Sequence, residues 1–232
     1  MKPRADWFDA LPATRPMAEF SLWSANLIAL DADLTRVGSH PDIYHIDVAD
    51  GAFAPAILYF PDLVAALRKR TAIPFHVHVM TADDILMSQI DQFAEAGADL
   101  ISVHAENANA GQAVAHIRAL GLRAGLVLQV ETPVIAAAPL VELLDFLTLL
   151  GTRIGVKGQS LDPTATARLG QAKDLINRRA NPARCVLAAD GGIREETVPL
   201  LVRAGAETVV MGSLAYGAPD LAARIAWLHG LT

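Results

Sequence analysis

Short apolar segments alternate along most of the chain with longer segments whose apolar residues recur every three or four positions. The first pattern is typical of buried β-strands and the second of amphipathic helices. From about Phe20 onward the alternation predicts eight strand–helix pairs. The predicted strands are 18–24, 42–48, 73–79, 99–104, 123–129, 145–150, 184–189 and 207–211. The predicted helices are 27–38, 61–70, 84–96, 108–120, 133–141, 163–179, 195–204 and 217–229.

Residues typical of helix ends support these boundaries. Pro61-Asp62 and Asp162-Pro163 begin predicted helices, and Gly97 and Gly205 follow the ends of others. Eight such pairs in one chain predict an α/β protein with a single (β/α)8 TIM barrel rather than an open doubly wound sheet. We expect the barrel domain to occupy residues 17–232. Residues 1–16 are predicted to form a short N-terminal extension, with a short helix near residues 5–11.

Composition narrows the classes of function. The formal net charge is −6 and no basic run occurs, which argues against a nucleic-acid partner. Cys185 is the only cysteine, so an internal disulfide is excluded and a cytoplasmic location is favoured. The start of the chain does not have the pattern of a secretory signal, and Pro139 and Glu142 interrupt the most apolar region, so no membrane partner is expected. The apolar helices of a barrel favour a homo-oligomer.

Ionisable residues cluster at the carboxyl ends of the predicted strands, where TIM barrels carry their active sites. His45 and Asp47 share one face of the second strand, because side chains alternate along a strand, and His78 and Asp190 end the third and seventh strands. Two imidazoles and two carboxylates suit zinc, manganese, iron(II) or cobalt better than magnesium. The sequence therefore predicts one divalent transition metal ion on these four residues. Alternatively, each is a separate buried residue that is hydrogen-bonded to the backbone.

The two aspartates also suggest a reaction. Asp47 and Asp190 lie on strands that we expect on opposite sides of the barrel. One could remove a proton next to a carbonyl group and the other could return a proton to the opposite face, while the metal stabilises the enediolate. Asp50 is predicted to support a loop. His104 and Glu106 share a strand face and either support the metal site from behind or belong to the ordinary barrel core.

Glycine-containing loops follow the last three predicted strands. Small residues there let backbone N–H groups point at an anion, and barrels commonly hold phosphate after the seventh and eighth strands. The loops therefore predict a phosphate site. Its expected residues are Gly155, Val156, Lys157, Gly158, Gly191, Gly192, Gly212 and Ser213.

These motifs, taken in order from about Phe20 to the end, resemble the ribulose-phosphate 3-epimerase family. The matching segments are 21–25, 45–55, 78–80, 96–99, 103–106, 125–128, 158–160, 190–192 and 212–213. The resemblance implies a metal-dependent (β/α)8 epimerase of carbohydrate metabolism that acts at C3 of a ketose phosphate. It implies His45, Asp47, His78 and Asp190 as metal ligands, with Asp47 and Asp190 as the catalytic acid/base pair. It also implies that Ser24, His78 and Met80 line the substrate pocket.

Three segments depart from the family pattern. The family's usual Asp-Val-Met-Asp is here Asp47-Val48-Ala49-Asp50, Pro-Asn is Pro55-Ala56, and a glycine-rich loop is replaced by Arg153–Gln159. None of these changes removes a predicted ligand or acid, but Arg153 and Lys157 add positive charge to the pocket. The expected substrate is therefore a ribulose 5-phosphate-like pentulose phosphate, or a related tetrulose or hexulose phosphate.

Two other functions are compatible with such a barrel. A phosphosugar decarboxylase would place a lysine between aspartates at the end of a strand, and the strand with His45 and Asp47 has no lysine. A barrel that only binds a sugar phosphate would not need paired acids on opposite faces. Both alternatives are therefore less well supported than an epimerase.

Overall fold

The computed structural model describes residues 1–231. Within this range, eight parallel strands close into a barrel, because β1 pairs with both β2 and β9. The short β3 is added antiparallel to the end of β2. The predicted TIM barrel is therefore confirmed. The strands are β1 (Met17–Ser21), β2 (Ile43–Asp50), β3 (Ile57–Leu58), β4 (Phe75–Met80), β5 (Leu100–His104), β6 (Arg123–Leu128), β7 (Phe146–Leu150), β8 (Val186–Asp190) and β9 (Thr208–Met211).

Helices cover the outside of the barrel. They are α1 (Leu30–Val37), α2 (Pro61–Arg68), α3 (Asp83–Ala96), α4 (Ala110–Ala119), α5 (Ala165–Asn177), α6 (Val198–Arg203), α7 (Ser213–Tyr216) and α8 (Leu221–His229). The short helix α7 was not predicted. No helix within residues 1–231 combines the length and the apolar character needed to cross a membrane.

Three local predictions were wrong. The α-helix predicted at 133–141 is replaced by two 3-10 turns, Val134–Ala137 and Val141–Leu143. Pro139 lies between them, and proline has no N–H for a helical hydrogen bond and blocks the preceding turn. The first strand ends at Ser21, three residues earlier than predicted, because Leu22–Ser24 forms a 3-10 turn. Residues 5–11 form turns instead of the predicted short helix.

Apolar side chains fill the amino-terminal end of the barrel. Met17, Ile43, Leu100 and Phe146 form this lower core together with Val186 and Ala188, and Phe8 and Leu11 from the N-terminal residues pack into it. The ring centroids of Phe8 and Phe146 are 6.1 Å apart. The first residues thus cover the end of the barrel opposite the predicted site. The domain boundary between residues 16 and 17 stays a prediction.

A layer of buried polar side chains lies above this lower core. Glu19, His45, His76 and Ser102 belong to it, and all four are fully buried. Ser102 has room for its side chain because its neighbour in β6 is Gly125. A Cβ atom on Gly125 would lie 1.9 Å from the Ser102 hydroxyl oxygen.

Replacing this glycine tests the packing of the polar layer. We expect Gly125→Ala to lower the free energy of unfolding by about 1–3 kcal/mol, the usual effect of overpacking, as measured by urea denaturation. Gly170→Ala in α5 is the control, because the added Cβ would meet no atom within 4 Å. That change should raise the free energy of unfolding by about 0.5–1 kcal/mol. Equal stability of the Gly125→Ala variant and the parent would contradict the packing described.

Candidate active site

Four predicted metal ligands come together at the carboxyl end of the barrel. Asp47 in β2 lies beside His78 in β4, and His45 lies two residues earlier in β2. One nitrogen or oxygen atom from each of His45, Asp47, His78 and Asp190 lies within 4.8 Å of the others. Asp47 Oδ1 is 3.2 Å from His45 Nε2 and 3.5 Å from His78 Nδ1, and Asp190 Oδ2 is 3.9 Å from both nitrogens.

The residues of this cluster fit a divalent cation. His45 Nε2 and His78 Nδ1 are buried, and neither has a hydrogen-bond partner within the part of the chain that the structure describes. An unsatisfied buried polar atom costs about 1–3 kcal/mol. A cation between the two nitrogens and the two carboxylates would satisfy both rings, and the mixture of nitrogen and oxygen atoms suits the transition metals named above. The ligand assignment itself stays a prediction.

A buried glutamate that the sequence analysis missed holds the ring of His45. Glu19 Oε1 is 2.8 Å from His45 Nδ1 and 2.5 Å from His76 Nδ1. Burial raises the pKa of Glu19, but the charges and hydrogen bonds of the two histidines lower it overall to about 2. The available sequence signal was an acid between apolar residues in the first strand. His76 also contacts Ser102, 2.6 Å away, and therefore lies below the cluster rather than in it.

His78 is backed by a second chain of polar groups. Its Nε2 is 2.8 Å from His104 Nε2, and His104 Nδ1 is 2.9 Å from Glu106 Oε2. Burial lowers the pKa of His104 to about 4, so its ring is neutral at pH 7. Glu106 Oε1 accepts hydrogen bonds from the Gln129 N–H and the Thr132 hydroxyl. His104 and Glu106 therefore contact the cluster from behind, which is one of the two arrangements that the sequence left open.

Two other polar residues near the cluster have clear contacts. The Ser21 hydroxyl donates a hydrogen bond to Asp47 Oδ2 at 2.8 Å. Asp50 accepts hydrogen bonds from the backbone N–H groups of Ala52, Phe53 and Ala82, as expected for a residue that supports a loop.

The environments of the two aspartates push their pKa values in opposite directions. Burial raises the pKa of Asp47, but the charge of His45, 3.2 Å away, lowers it well below its usual range. Burial raises the pKa of Asp190 to about 6, and the Asp47 charge adds to the rise while His45 opposes it. Such a separation is typical of an acid/base pair. Strand β8 lies three positions from β2 around the barrel, one short of directly opposite.

A cavity of about 440 Å³ opens above the cluster. Gly191 and Gly192 have φ angles of 86° and 69°, which favour glycine. A Cβ atom on Gly212 would lie 2.5 Å from the Ser24 hydroxyl oxygen, so the first and last barrel loops meet there. All the residues predicted to bind substrate line this cavity, namely Ser24, His78, Met80, Gly155, Val156, Lys157, Gly158, Gly191, Gly192, Gly212 and Ser213.

Several further residues line the cavity that the sequence analysis did not assign to the substrate pocket. They include Trp23, Thr152 and Arg194. Lys157 donates a hydrogen bond to the Trp23 carbonyl oxygen, and its Nζ lies 4.6 Å from the centroid of the Trp23 ring. The loop after β7 is therefore tied to the loop after β1. A tryptophan carries no charge that would mark it in the sequence as part of a polar site.

Comparisons with known proteins agree with this architecture. Residues 17–216 match the model of the Ribulose-phosphate 3 epimerase family. The chain is 34% identical over 212 residues to the ribulose-phosphate 3-epimerase of Bacillus subtilis, which covers 90% of this chain and 96% of that protein. It is 36% identical over 191 residues to the enzyme of the same name from Aquifex aeolicus, with 82% of this chain and 84% of that protein covered.

Solved structures share the fold at lower sequence identity. A 3-keto-L-gulonate-6-phosphate decarboxylase from Vibrio cholerae superimposes with a TM-score of 0.68 at 20% identity and covers 93% of this chain and 99% of its own. A 3-hexulose-6-phosphate synthase from Salmonella typhimurium gives a TM-score of 0.66 at 18% identity, with 93% and 97% covered. At these identities the similarity concerns the barrel alone.

The opposite pKa shifts of the two aspartates predict opposite effects on stability in metal-free protein. Between about pH 4 and pH 6, folded protein holds the Asp190 proton more tightly than the unfolded chain does, so the free energy of unfolding falls as pH rises through this window. Asp190→Asn should therefore raise the free energy of unfolding at pH 7.5, by up to about 3 kcal/mol. The gain should disappear near pH 4.

Asp47→Asn is the matched comparison, because the pKa of Asp47 is lowered and its ionised form stabilises the fold above the unfolded pKa. This variant should lose stability at pH 7.5. Urea denaturation of both chelator-treated variants at several pH values checks the signs. Destabilisation of similar size by both substitutions at pH 7.5 would show that the two carboxylates do not differ as described.

Proposed function

Because the chain belongs to the ribulose-phosphate 3-epimerase family, we propose that this epimerase inverts C3 of a phosphorylated ketose. The substrate is a ribulose 5-phosphate-like pentulose phosphate or a related tetrulose or hexulose phosphate. The observation that carries the proposal is the pair Asp47 and Asp190, which lie in one cavity with pKa values shifted in opposite directions. Two curated relatives bear the name ribulose-phosphate 3-epimerase.

The phosphate group binds between the loops after β8 and β9. Gly191, Gly192 and Gly212 leave their backbone N–H groups accessible to an anion, and Ser213 begins the short helix α7. Arg194 lines the same cavity and adds a positive charge. The sugar then extends from these loops toward the four-residue cluster.

Asp47 and Asp190 exchange the C3 proton. Asp47 Oδ1 and Asp190 Oδ2 face the histidine nitrogens, which leaves Asp47 Oδ2 and Asp190 Oδ1 for proton transfer. Ionised Asp47 removes the proton from C3, and the electron pair of the broken C–H bond moves toward the C2 carbonyl oxygen. Protonated Asp190 then donates a proton to C3 from the other face. In the reverse direction the two carboxylates exchange roles.

His45, Asp47, His78 and Asp190 would hold a divalent metal ion, namely zinc, manganese, iron(II) or cobalt. When bound, such an ion supplies Lewis-acid stabilisation of the negative charge that develops on the substrate oxygens. Ser21 orients Asp47 through its hydrogen bond to Oδ2. Met80, Trp23 and Val156 supply apolar surface that keeps water from the reacting carbon.

Proton exchange in heavy water tests the proposal. Metal-loaded protein is incubated with four-, five- and six-carbon ketose phosphates, and NMR detects deuterium at C3 and formation of the epimer. We expect Asp47→Asn and Asp190→Asn to lower the rate about 10²- to 10⁴-fold, because each removes one proton-transfer group. Asp84→Asn is the control, since this exposed aspartate in the first turn of α3 should leave the rate unchanged.

Chelator-treated protein should lose proton exchange at C3 and regain it when one of the four metals is added.

Other outcomes separate the alternative functions. Release of carbon dioxide from a keto-acid sugar phosphate without epimerisation would support a decarboxylase. Tight binding of phosphate esters without any exchange by metal-loaded protein would indicate a barrel that only binds its ligand.

Lys157 gives a separate prediction for substrate affinity. Lys157 and Asp47 line the same cavity. Burial lowers the pKa of Lys157 and the charge of Asp47 opposes this shift, which shows that the two charges interact. Lys157→Met should raise KM for the ketose phosphate about tenfold and leave kcat within about threefold, because a charge-assisted hydrogen bond contributes equally to substrate and transition state. Steady-state kinetics provide the measurement. Lys69→Met is the control, because Lys69 is an exposed lysine directly after α2. A fall in kcat with unchanged KM would instead place Lys157 in the chemical step.

A further inference from the structure

We infer that Glu106 and His104 form a hydrogen-bond relay that fixes the ring tautomer of His78, with an unprotonated Nδ1 directed at the ligand cluster. Both residues would then act as positioning residues. This inference rests on the metal site of the proposed function. It concerns how the barrel prepares one ligand before any ion binds.

The contact between the two imidazoles is the first step. His78 Nε2 and His104 Nε2 are 2.8 Å apart, and both rings are almost completely buried. At this distance the two nitrogens share a hydrogen bond, so one carries a proton and the other accepts it. The tautomer of one ring therefore decides the tautomer of the other.

Glu106 decides the tautomer of His104. Its Oε2 lies 2.9 Å from His104 Nδ1, and its Oε1 already accepts bonds from the Gln129 N–H and the Thr132 hydroxyl. An ionised carboxylate only accepts hydrogen bonds, so His104 Nδ1 must carry a proton. A neutral ring has one N–H group, and His104 Nε2 is therefore the acceptor.

The proton positions then follow along the relay to the cluster. Because His104 Nε2 accepts, His78 Nε2 must donate, and a neutral His78 has no proton on Nδ1. This Nδ1 is the buried atom that has no hydrogen-bond partner within residues 1–231. A metal ligand needs such a lone pair, and a carboxylate behind a histidine is a frequent way to secure it. Phe53, whose ring centroid is 5.0 Å from that of His104, covers the relay on one side.

Glu106→Gln should reverse the relay without changing the shape of the side chain. The NH2 group of the new side chain cannot face the Gln129 N–H, because two donors would meet there, so the amide oxygen keeps that position and the NH2 group takes the other. It therefore faces His104 Nδ1 and donates to it, which moves the His104 proton to Nε2 and the His78 proton to Nδ1. The ligand atom would then be blocked by a proton that must be removed before a metal can bind.

Nitrogen NMR of the histidine rings in chelator-treated protein at pH 8 tests the tautomers directly. In the parent protein we expect a protonated Nε2 and a bare Nδ1 for His78, assigned with a His78→Asn variant. Glu106→Gln should show the reverse. Titration with Co²⁺, followed by its visible absorption, should give an affinity about 10- to 100-fold weaker for Glu106→Gln than for the parent.

Thr132→Val is the matched control. It removes one hydrogen bond to Glu106 Oε1 and leaves the contact between Oε2 and His104 in place. Its tautomers should equal those of the parent, and its Co²⁺ affinity should lie within about twofold. Thermal unfolding of each variant shows that it is folded.

Two results would overturn the relay. The first is a proton on His78 Nδ1 in the parent protein, which can be observed even if Glu106→Gln does not fold. The second is a folded Glu106→Gln variant with parental tautomers and parental Co²⁺ affinity. Failure of the parent to bind Co²⁺ while His78 has the expected tautomer would instead contradict the proposed metal site, so the two failures are distinguishable.

Discussion

Hydrogen bonds between buried carboxylates and imidazole rings are the interaction on which the rest of the site depends. Glu19 holds His45, and Glu106 contacts His78 through His104. Burying this many ionisable groups is unfavourable unless each finds a partner. Because the carboxylates lie behind the histidines, the ring nitrogens that face the cavity are left without partners of their own. These contacts therefore stabilise the buried charges and also direct two ring nitrogens, His45 Nε2 and His78 Nδ1, at one point.

The parallel barrel explains why these groups meet. All eight barrel strands point the same way, so the ends of β2, β4 and β8 reach the same face. Side chains of the same layer come from strands that are far apart in sequence, such as Glu19 and His76. The layer also requires small neighbours, as at Gly125, where any side chain would collide with Ser102. Packing below the site and chemistry at the site are thus consequences of the same closed sheet.

The electrostatics of the cavity are asymmetric in two respects. His45 favours the ionised form of Asp47, whereas burial favours the protonated form of Asp190, so two identical side chains differ in their readiness to hold a proton. Arg194 and Lys157 line the same cavity, and the charge of Lys157 interacts with that of Asp47. Lys157 also joins the loops after β1 and β7 through Trp23. Substrate binding and proton transfer are therefore coupled to the positions of the same few loops.

The sequence by itself determined the periodic features of this protein. Alternation of apolar segments predicted all eight barrel strands to within a few residues, because strand burial leaves a local pattern. The two-residue period placed His45 and Asp47 on one face, and the glycines marked the loops that line the cavity. Only the tertiary structure decided the contacts of Glu19, the bridge from Lys157 to Trp23 and the relay behind His78. The contacts Glu19–His45, His78–His104 and Lys157–Trp23 join residues 26 to 134 positions apart, whose distances depend on barrel closure and strand register rather than on any local pattern.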